Sequence, residues 1–363
     1  MTTPALQRLR EKFPHSRITL LTHEKLAPLW EHHPAIDGVV SFSSGENPWS
    51  MARRLRAENF DAALVLPNSP RSALEVWLAR IPRRIGYARP WRDWLLTQAV
   101  PNRPGHVPMR KRSIGEINRL IRLPPSDPAL AARITSDASA HQIHEYLHLV
   151  GALGANSEPL PPRLRVMPAE IASAVAKFGL QPQGNAGDAS PCFGLNPGAE
   201  YGPAKRWPSE RFIAAACELQ RRTQCRWLIF GGQSDKQLAT EIATGIKAGL
   251  TGSAALQPPL SLAGETTLRE LCALLSHCRV LLTNDTGPMH VAAALGTPVI
   301  GLFGSTSPEL TGPGLPGDPS HTLLNAKAPC SPCFQRSCPI DLRCLTGISV
   351  ESVIQALQRI ELS

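Results

Sequence analysis

A chain of 363 residues with 42% hydrophobic residues can fill two cores, and with aromatics at 5% those cores rest mainly on Ala, Leu, Ile and Val. No apolar run of roughly 18 residues appears, which excludes a membrane-spanning helix, and MTTPALQRLREKF lacks the basic start and apolar core of a secretory signal. The net charge of +9 is uneven: residues 1–130 hold 20 Lys+Arg against 11 Asp+Glu, and residues 131–363 hold 18 against 18. Such an excess favours a phosphorylated lipid or an acidic membrane face. Nucleic acid is disfavoured, because no binding motif or interleaved stacking aromatics accompany the arginines.

From the N-terminus, apolar spacing predicts a helix over Pro4–Phe13, with Leu6, Leu9 and Phe13 on one stripe. Strands follow at Ile18–Thr22, Val39–Phe42, Ala62–Leu66 and Arg83–Gly86, with helices at Pro48–Asn59 and Ser72–Ala79. Repeated strand–helix alternation predicts an α/β fold with a parallel, doubly wound sheet. His144-Glu145-Tyr146-Leu147-His148 matches the H-E-x-x-H zinc pattern. Ile143, Tyr146, Leu147 and Val150 make an apolar face there, leaving both histidines on the wetter side, and no third ligand follows at the usual spacing. The segment therefore reads as a packed helix rather than a metal centre.

A proline-rich crossing at Pro159–Pro168 and a linker at Gln181–Pro191 lead into a second alternating unit. Its predicted strands are Cys192–Asn196, Arg226–Phe230, Arg279–Thr283 and Pro298–Phe303. Its helices lie near Pro208–Thr223, Asp235–Lys247, Thr267–Ser276 and Pro288–Leu295. The expected domains are residues 1–183 and 184–348, two Rossmann-like halves facing a central cleft, with residues 349–363 a helix able to cross back onto the first domain.

Within the second unit, NPGAEYGPAKRWP (196–208) is a Gly/Pro loop after a strand that carries Lys205 and Arg206 to the start of a helix. A cation so placed can neutralise a leaving diphosphate; a solvated Lys-Arg pair is the plainer alternative. FGGQSDK (230–236), a strand running into a glycine turn and a helix, is consistent with a nucleoside pocket. In TNDTGPMHVAAALGTPVIGLFGSTSP (283–308) a strand ends at Thr283 and a helix opens around Thr286–Pro288, with Asp285 or Thr286 as cap. Free N–H groups there would face an anion. Asp285 would repel a phosphate, so a ribose or sugar hydroxyl is its expected partner, and a purely capping role is the alternative.

Nine cysteines is an odd count, and Cys192, Cys217, Cys225, Cys272 and Cys278 are scattered among apolar runs, as buried thiols of a reducing compartment would be. Cys330-x2-Cys333-x4-Cys338-x5-Cys344 places four thiols within fifteen residues. Its second pair is looser than a zinc ribbon, so free thiols in a compact loop are expected, with a structural zinc as the alternative.

Together with Asn68–Thr97 and the tail CSPCFQRSCPIDLRCL, the two long motifs of the second unit resemble the lipopolysaccharide heptosyltransferase family, in particular its heptosyltransferase II branch. The resemblance implies a glycosyltransferase-B-like fold with the donor bound mainly by the C-terminal domain. It implies a cytoplasmic enzyme peripheral to the inner membrane, needing no metal or other cofactor. The implied reaction is inverting transfer of heptose from ADP-L-glycero-D-manno-heptose to a heptosyl-Kdo2-lipid A acceptor. By the same resemblance Lys205 contacts or stabilises the leaving diphosphate, while Asp285, Thr286 and Gly287 hold the donor, with His290 nearby. Heptosyltransferases I and III, and an inactive nucleotide-sugar-binding relative, are the alternatives. Family members also carry an apolar strand and a Gly-Asp loop ahead of a helix like MTTPALQRL, and that Asp is the implied base. It has no counterpart among these residues, so about 15–25 upstream codons are expected to encode it.

Overall fold

A computed structural model describes residues 1–124, 127, 138–182, 190–251 and 256–362. The chain divides into two compact units, residues 1–107 with 139–162 and residues 108–138 with 163–363. This division differs from the expected boundary at 183/184: residues 108–138 and 163–183 belong with the second unit, and the linker Gln181–Pro191 lies largely outside the described residues. The charge is shared accordingly. The first unit holds 15 Lys+Arg against 11 Asp+Glu and the second 23 against 18, so the basic excess is not confined to the first unit.

In the first unit, β1 (Thr19–His23) pairs in parallel with β2 (Gly38–Phe42), and β3 (Ala62–Val65), β4 (Arg83–Tyr87) and β5 (Gln98–Val100) form a second parallel sheet in that order. Helix α1 spans Thr3–Lys12, α2 Pro48–Ala57 and α3 Pro70–Leu78. The starts of α2 and α3 follow from local chemistry. The Asn47 and Ser69 side chains accept the N–H groups of Trp49 and Ser72, and a proline with pre-set φ opens each helix. Their apolar faces meet over Met51, Leu55, Val65, Ala73, Val76 and Ile81. Helix α1 buries Leu6 as expected, but Leu9 and Phe13 are only half-buried, and Thr3, Pro4 and Ala5 are buried instead. It rests on α4 (Ile143–Gly151).

Helix α4 carries the H-E-x-x-H segment, and its polar groups are committed to packing. Glu145 Oε1 accepts from Arg103 Nε at 2.7 Å, and the His148 ring stacks on Tyr87, with Nε2 3.2 Å from the Pro101 carbonyl. Ile143, Leu147, Leu149 and Val150 are buried, as the apolar face predicts.

The second unit is built on one six-stranded, all-parallel sheet. Its strands are β6 (Cys192–Asn196), β7 (Arg226–Ile229), β8 (Leu260–Ser261), β9 (Val280–Asn284), β10 (Val299–Phe303) and β11 (His321–Asn325), in the order β11-β10-β9-β6-β7-β8. Strands β6, β9 and β10 are buried at every residue, as central strands covered on both faces must be. Gly194 and Gly301 answer to crowding: a Cβ at Gly194 would lie 2.9 Å from Leu281 Cδ1. Trp227 and Phe193 meet edge to face at 5.6 Å, and the Trp227 indole N–H donates to the Ala216 carbonyl at 3.0 Å. Each such buried ring contributes on the order of 1.5–3 kcal/mol through the area it removes from water.

The covering helices are α5 (Pro168–Lys177), α6 (Ser209–Thr223), α7 (Lys236–Gly249), α8 (Leu268–His277), α9 (Gly287–Ala294) and α10 (Val350–Leu362). The pairs α5/α8 and α6/α7 pack together. Helix α10, expected as a crossing to the first domain, belongs to the second unit: Val353, Ile354, Ala356 and Leu357 enter the core beneath α6 and β10–β11.

Candidate functional site

In the sheet order β10-β9-β6-β7 the chain reverses its direction of winding between β9 and β6, where Asn196 pairs with Thr283. Loops leaving the carboxyl ends of two such strands diverge and leave a crevice, the usual ligand site of an open parallel sheet. Here those loops are 197–208 and 285–287. They carry the charged residues that the sequence singles out.

Lys205 ends a short 3-10 turn, Pro203–Lys205, whose entry is fixed by Gly202. Gly202 has φ 148°, and a Cβ there would lie 2.4 Å from the Arg336 carbonyl oxygen, so only glycine fits. Lys205 Nζ lies 2.6 Å from Asp285 Oδ2 and 4.9 Å from the centre of the Tyr201 ring, whose other neighbour is the Arg336 guanidinium at 5.5 Å. Thr306 Oγ1 donates to the same Asp285 oxygen at 2.6 Å. The Asp285 side chain is 5% exposed and that of Lys205 13%, so this ion pair is largely withdrawn from water. Arg206 takes a different course and reaches Asp235 Oδ1 at 3.4 Å. The plainer alternative of a solvated Lys-Arg pair therefore gives way to two separate ion pairs.

The start of α9 departs from the expected cap. Thr286 occupies the N-cap position in extended conformation but makes no capping bond; its hydroxyl accepts from Asn196 Nδ2 at 3.1 Å. Asp285 does not cap the helix either, its Oδ2 being given to Lys205 and Thr306. The first N–H groups of a helix have no intrahelical partner, Pro288 has none to offer, and Gly287 is exposed with nothing within 4 Å of an added Cβ. An anion can approach that backbone closely. His290 follows one turn into the helix, half-buried.

The residues that hold these loops are not the charged ones that the sequence singles out. Asn284 accepts from Trp207 N at 3.1 Å and donates to the Pro197 carbonyl at 2.7 Å, tying one loop to the other. Its signal was a polar residue closing an otherwise apolar strand, as Asn196 closes β6. Asp235, within FGGQSDK, lies against two glycines: a Cβ at Gly198 or Gly231 would come within 2.6 or 2.8 Å of it. All four tail cysteines lie in this unit as free thiols. Burial, followed by the neighbouring Cys330, Cys333 and Cys338, pushes the Cys344 thiol up to about 12, which leaves it a poor nucleophile.

Comparison with known proteins gives the family and the fold. The family model described as glycosyltransferase family 9 (heptosyltransferase) matches residues 48–114 and 125–343. The chain is 28% identical over 321 residues to lipooligosaccharide heptosyltransferase 2 of Haemophilus ducreyi, covering 86% of this chain and 82% of that protein. It is 28% identical over 326 residues to lipopolysaccharide heptosyltransferase 2 of Escherichia coli, covering 86% and 81%. The solved structure of the E. coli ADP-heptose LPS heptosyltransferase II superposes with a TM-score of 0.73 at 25% identity, covering 100% of this chain and 94% of that one.

Proposed function

Since the chain belongs to glycosyltransferase family 9, the heptosyltransferases, we propose that it moves heptose from ADP-L-glycero-D-manno-heptose onto the heptosyl-Kdo2-lipid A inner core of lipopolysaccharide, with inversion at the anomeric carbon. The observation that carries the donor half is the Lys205–Asp285–Thr306 cluster beside the open start of α9. The similarity to heptosyltransferases 2 supports the acceptor half.

In this reading the acceptor hydroxyl, giving its proton to a general base on the acceptor side, attacks the anomeric carbon from the side opposite the diphosphate. The bond from that carbon to the phosphate oxygen breaks, and ADP departs carrying the developed charge. Lys205 Nζ and the N–H groups at Thr286 and Gly287 meet that charge without reorganising, which is where fixed electrostatics lower the barrier most. Asp285 holds Lys205 in place through Oδ2 and offers its other oxygen to a sugar hydroxyl. Its engagement by Lys205 and Thr306 makes it a counter-ion rather than the base. His290 borders the donor, Asp235 and the 230–236 turn form the nucleoside side, and no step requires a metal. Defined core acceptors test the assignment: a monoheptosyl core should be the substrate. Preference for an unheptosylated or a diheptosyl core would point to heptosyltransferase I or III.

The lipid-borne acceptor implies work at a membrane surface, and among the described residues no helix is long and apolar enough to cross one. In the first unit Trp91 is 86% and Trp94 66% exposed, and Trp94 meets the exposed Trp77 edge to face at 5.8 Å. Arg80 and Arg83, near in sequence, are exposed too. Amphipathic indoles beside cations suit the headgroup layer of an anionic bilayer. Binding to anionic vesicles should weaken as salt rises, since screening acts over about 8 Å at physiological ionic strength, and Trp91→Ser with Trp94→Ser should weaken it further. Cosedimentation that is insensitive to salt and to both substitutions would refute the patch.

A further inference from the structure

Lys205 is a point charge on a flexible four-carbon stem, and a single carboxylate fixes its distance but not its direction. Asp285 Oδ2 at 2.6 Å supplies the first restraint. The second is the face of Tyr201, whose ring centre lies 4.9 Å from Nζ, within the range over which an aromatic face attracts a cation. Tyr201 is itself 38% exposed and stands in a loop, so it can direct the lysine only if the ring is held.

What holds it is a stretch with neither helix nor strand, residues 334–336, far along the chain. Tyr201 Oη donates to the Phe334 carbonyl at 2.7 Å, and Arg336 Nε donates to the Tyr201 carbonyl at 2.7 Å. The Arg336 guanidinium lies 5.5 Å from the centre of the Tyr201 ring. The Arg336 carbonyl in turn accepts at 3.0 Å from the N–H of Ala204, the residue before Lys205. Gly202 permits that approach, since a Cβ there would strike the same carbonyl. Arg336 therefore grips residues 201–204 through its side chain at one end and its backbone at the other. Phe334 N donates to the Ser305 carbonyl at 2.8 Å, beside the Thr306 that holds Asp285. One short segment thus ties together the supports of both members of the ion pair.

We infer that Arg336 is a positioning residue of the donor site: it fixes the Tyr201 ring and the 201–204 turn, and through them the direction in which Lys205 presents its ammonium. Two cations that share one ring repel each other, so Arg336 stays in place because its Nε is bonded to the Tyr201 carbonyl. Without Arg336 the ring keeps only its hydroxyl bond to Phe334, and Lys205 keeps its distance to Asp285 but loses the surface that aims it. The kinetic consequence rests on the reading of Lys205 as the group that meets the leaving diphosphate. The positioning itself does not.

The test is nuclear magnetic resonance of the full chain with its lysines isotopically labelled at the ε carbon, the Lys205 signal being the one lost in Lys205→Arg. In the wild type that signal should lie upfield of the ordinary lysine position, shifted by the Tyr201 ring current, with its two protons inequivalent. Arg336→Ala, and Arg336→Gln as a second variant, should return it to the ordinary position while the far-ultraviolet circular dichroism stays unchanged. Arg336→Lys should restore part of the shift. Turnover in Arg336→Ala should fall at least about tenfold, on kcat more than on KM for the donor, and no further when Arg336→Ala is added to Lys205→Ala. Normal turnover in Lys205→Ala would defeat the reading of Lys205 alone, and the spectral shift would still decide the positioning. A Lys205 signal unmoved by Arg336→Ala would overturn the inference. So would an equal loss of ADP affinity from Arg336→Ala with and without Lys205, which would make Arg336 a direct contact of the diphosphate.

Discussion

Lys205→Ala should lower turnover by about 10²-fold or more, the range for losing one preorganised stabiliser of developing charge. The loss should fall on kcat more than on KM for the donor, because the diphosphate charge that Lys205 meets grows as the glycosidic bond breaks. Folding should survive, since Lys205 lies in a loop and Asp285 keeps the Thr306 hydroxyl as a partner. Lys205→Arg should recover only part of the rate, because a planar guanidinium cannot reproduce a point charge set between a carboxylate and the Tyr201 ring. Steady-state kinetics with a matched thermal melt checks this, and near-normal turnover in Lys205→Ala would remove the lysine from the mechanism.

Asp285→Ala is expected to act on stability and rate together. It strands a lysine that is 13% exposed and leaves the Thr306 hydroxyl without its acceptor. A cost of about 1–3 kcal/mol follows, below the figure for a wholly enclosed pair because Lys205 retains some water. The rate should drop at least about tenfold as Lys205 loses its fixed position. In a double-mutant cycle the two substitutions should be far from additive: once Lys205 is gone, removing its counter-ion has less left to disturb. Additive losses would mean that Asp285 acts on the donor independently of Lys205.

The strands of the second unit were legible because a parallel sheet covered on both faces demands continuous apolar runs, and CFGLN and VIGLF supply them. The edge strands β5, β8 and β11 escaped notice. The first two are only three and two residues long, and HTLLN in β11 is partly exposed and flanked by loops. Lys205 and Asp285 were each visible as charges following a strand. Their union was not, because it spans 80 residues and depends on β6 lying beside β9. Sequence periodicity carries no information about strand order. For the same reason the capping role weighed for Asp285 gives way, since its Oδ2 accepts from Lys205 and Thr306. The course of α10 was misjudged because an amphipathic helix at the chain end shows that it has an apolar face but not which core receives it.

The most direct measurement is single-turnover transfer, with the protein in excess over ADP-heptose and a defined monoheptosyl core acceptor, followed by mass spectrometry of the acceptor and quantitation of ADP. The account predicts that the acceptor gains one heptose for each ADP released, with inverted anomeric configuration, and that Lys205→Ala slows both signals equally. Tight binding of ADP-heptose with no gain in acceptor mass would contradict it and mark the chain as a nucleotide-sugar-binding protein.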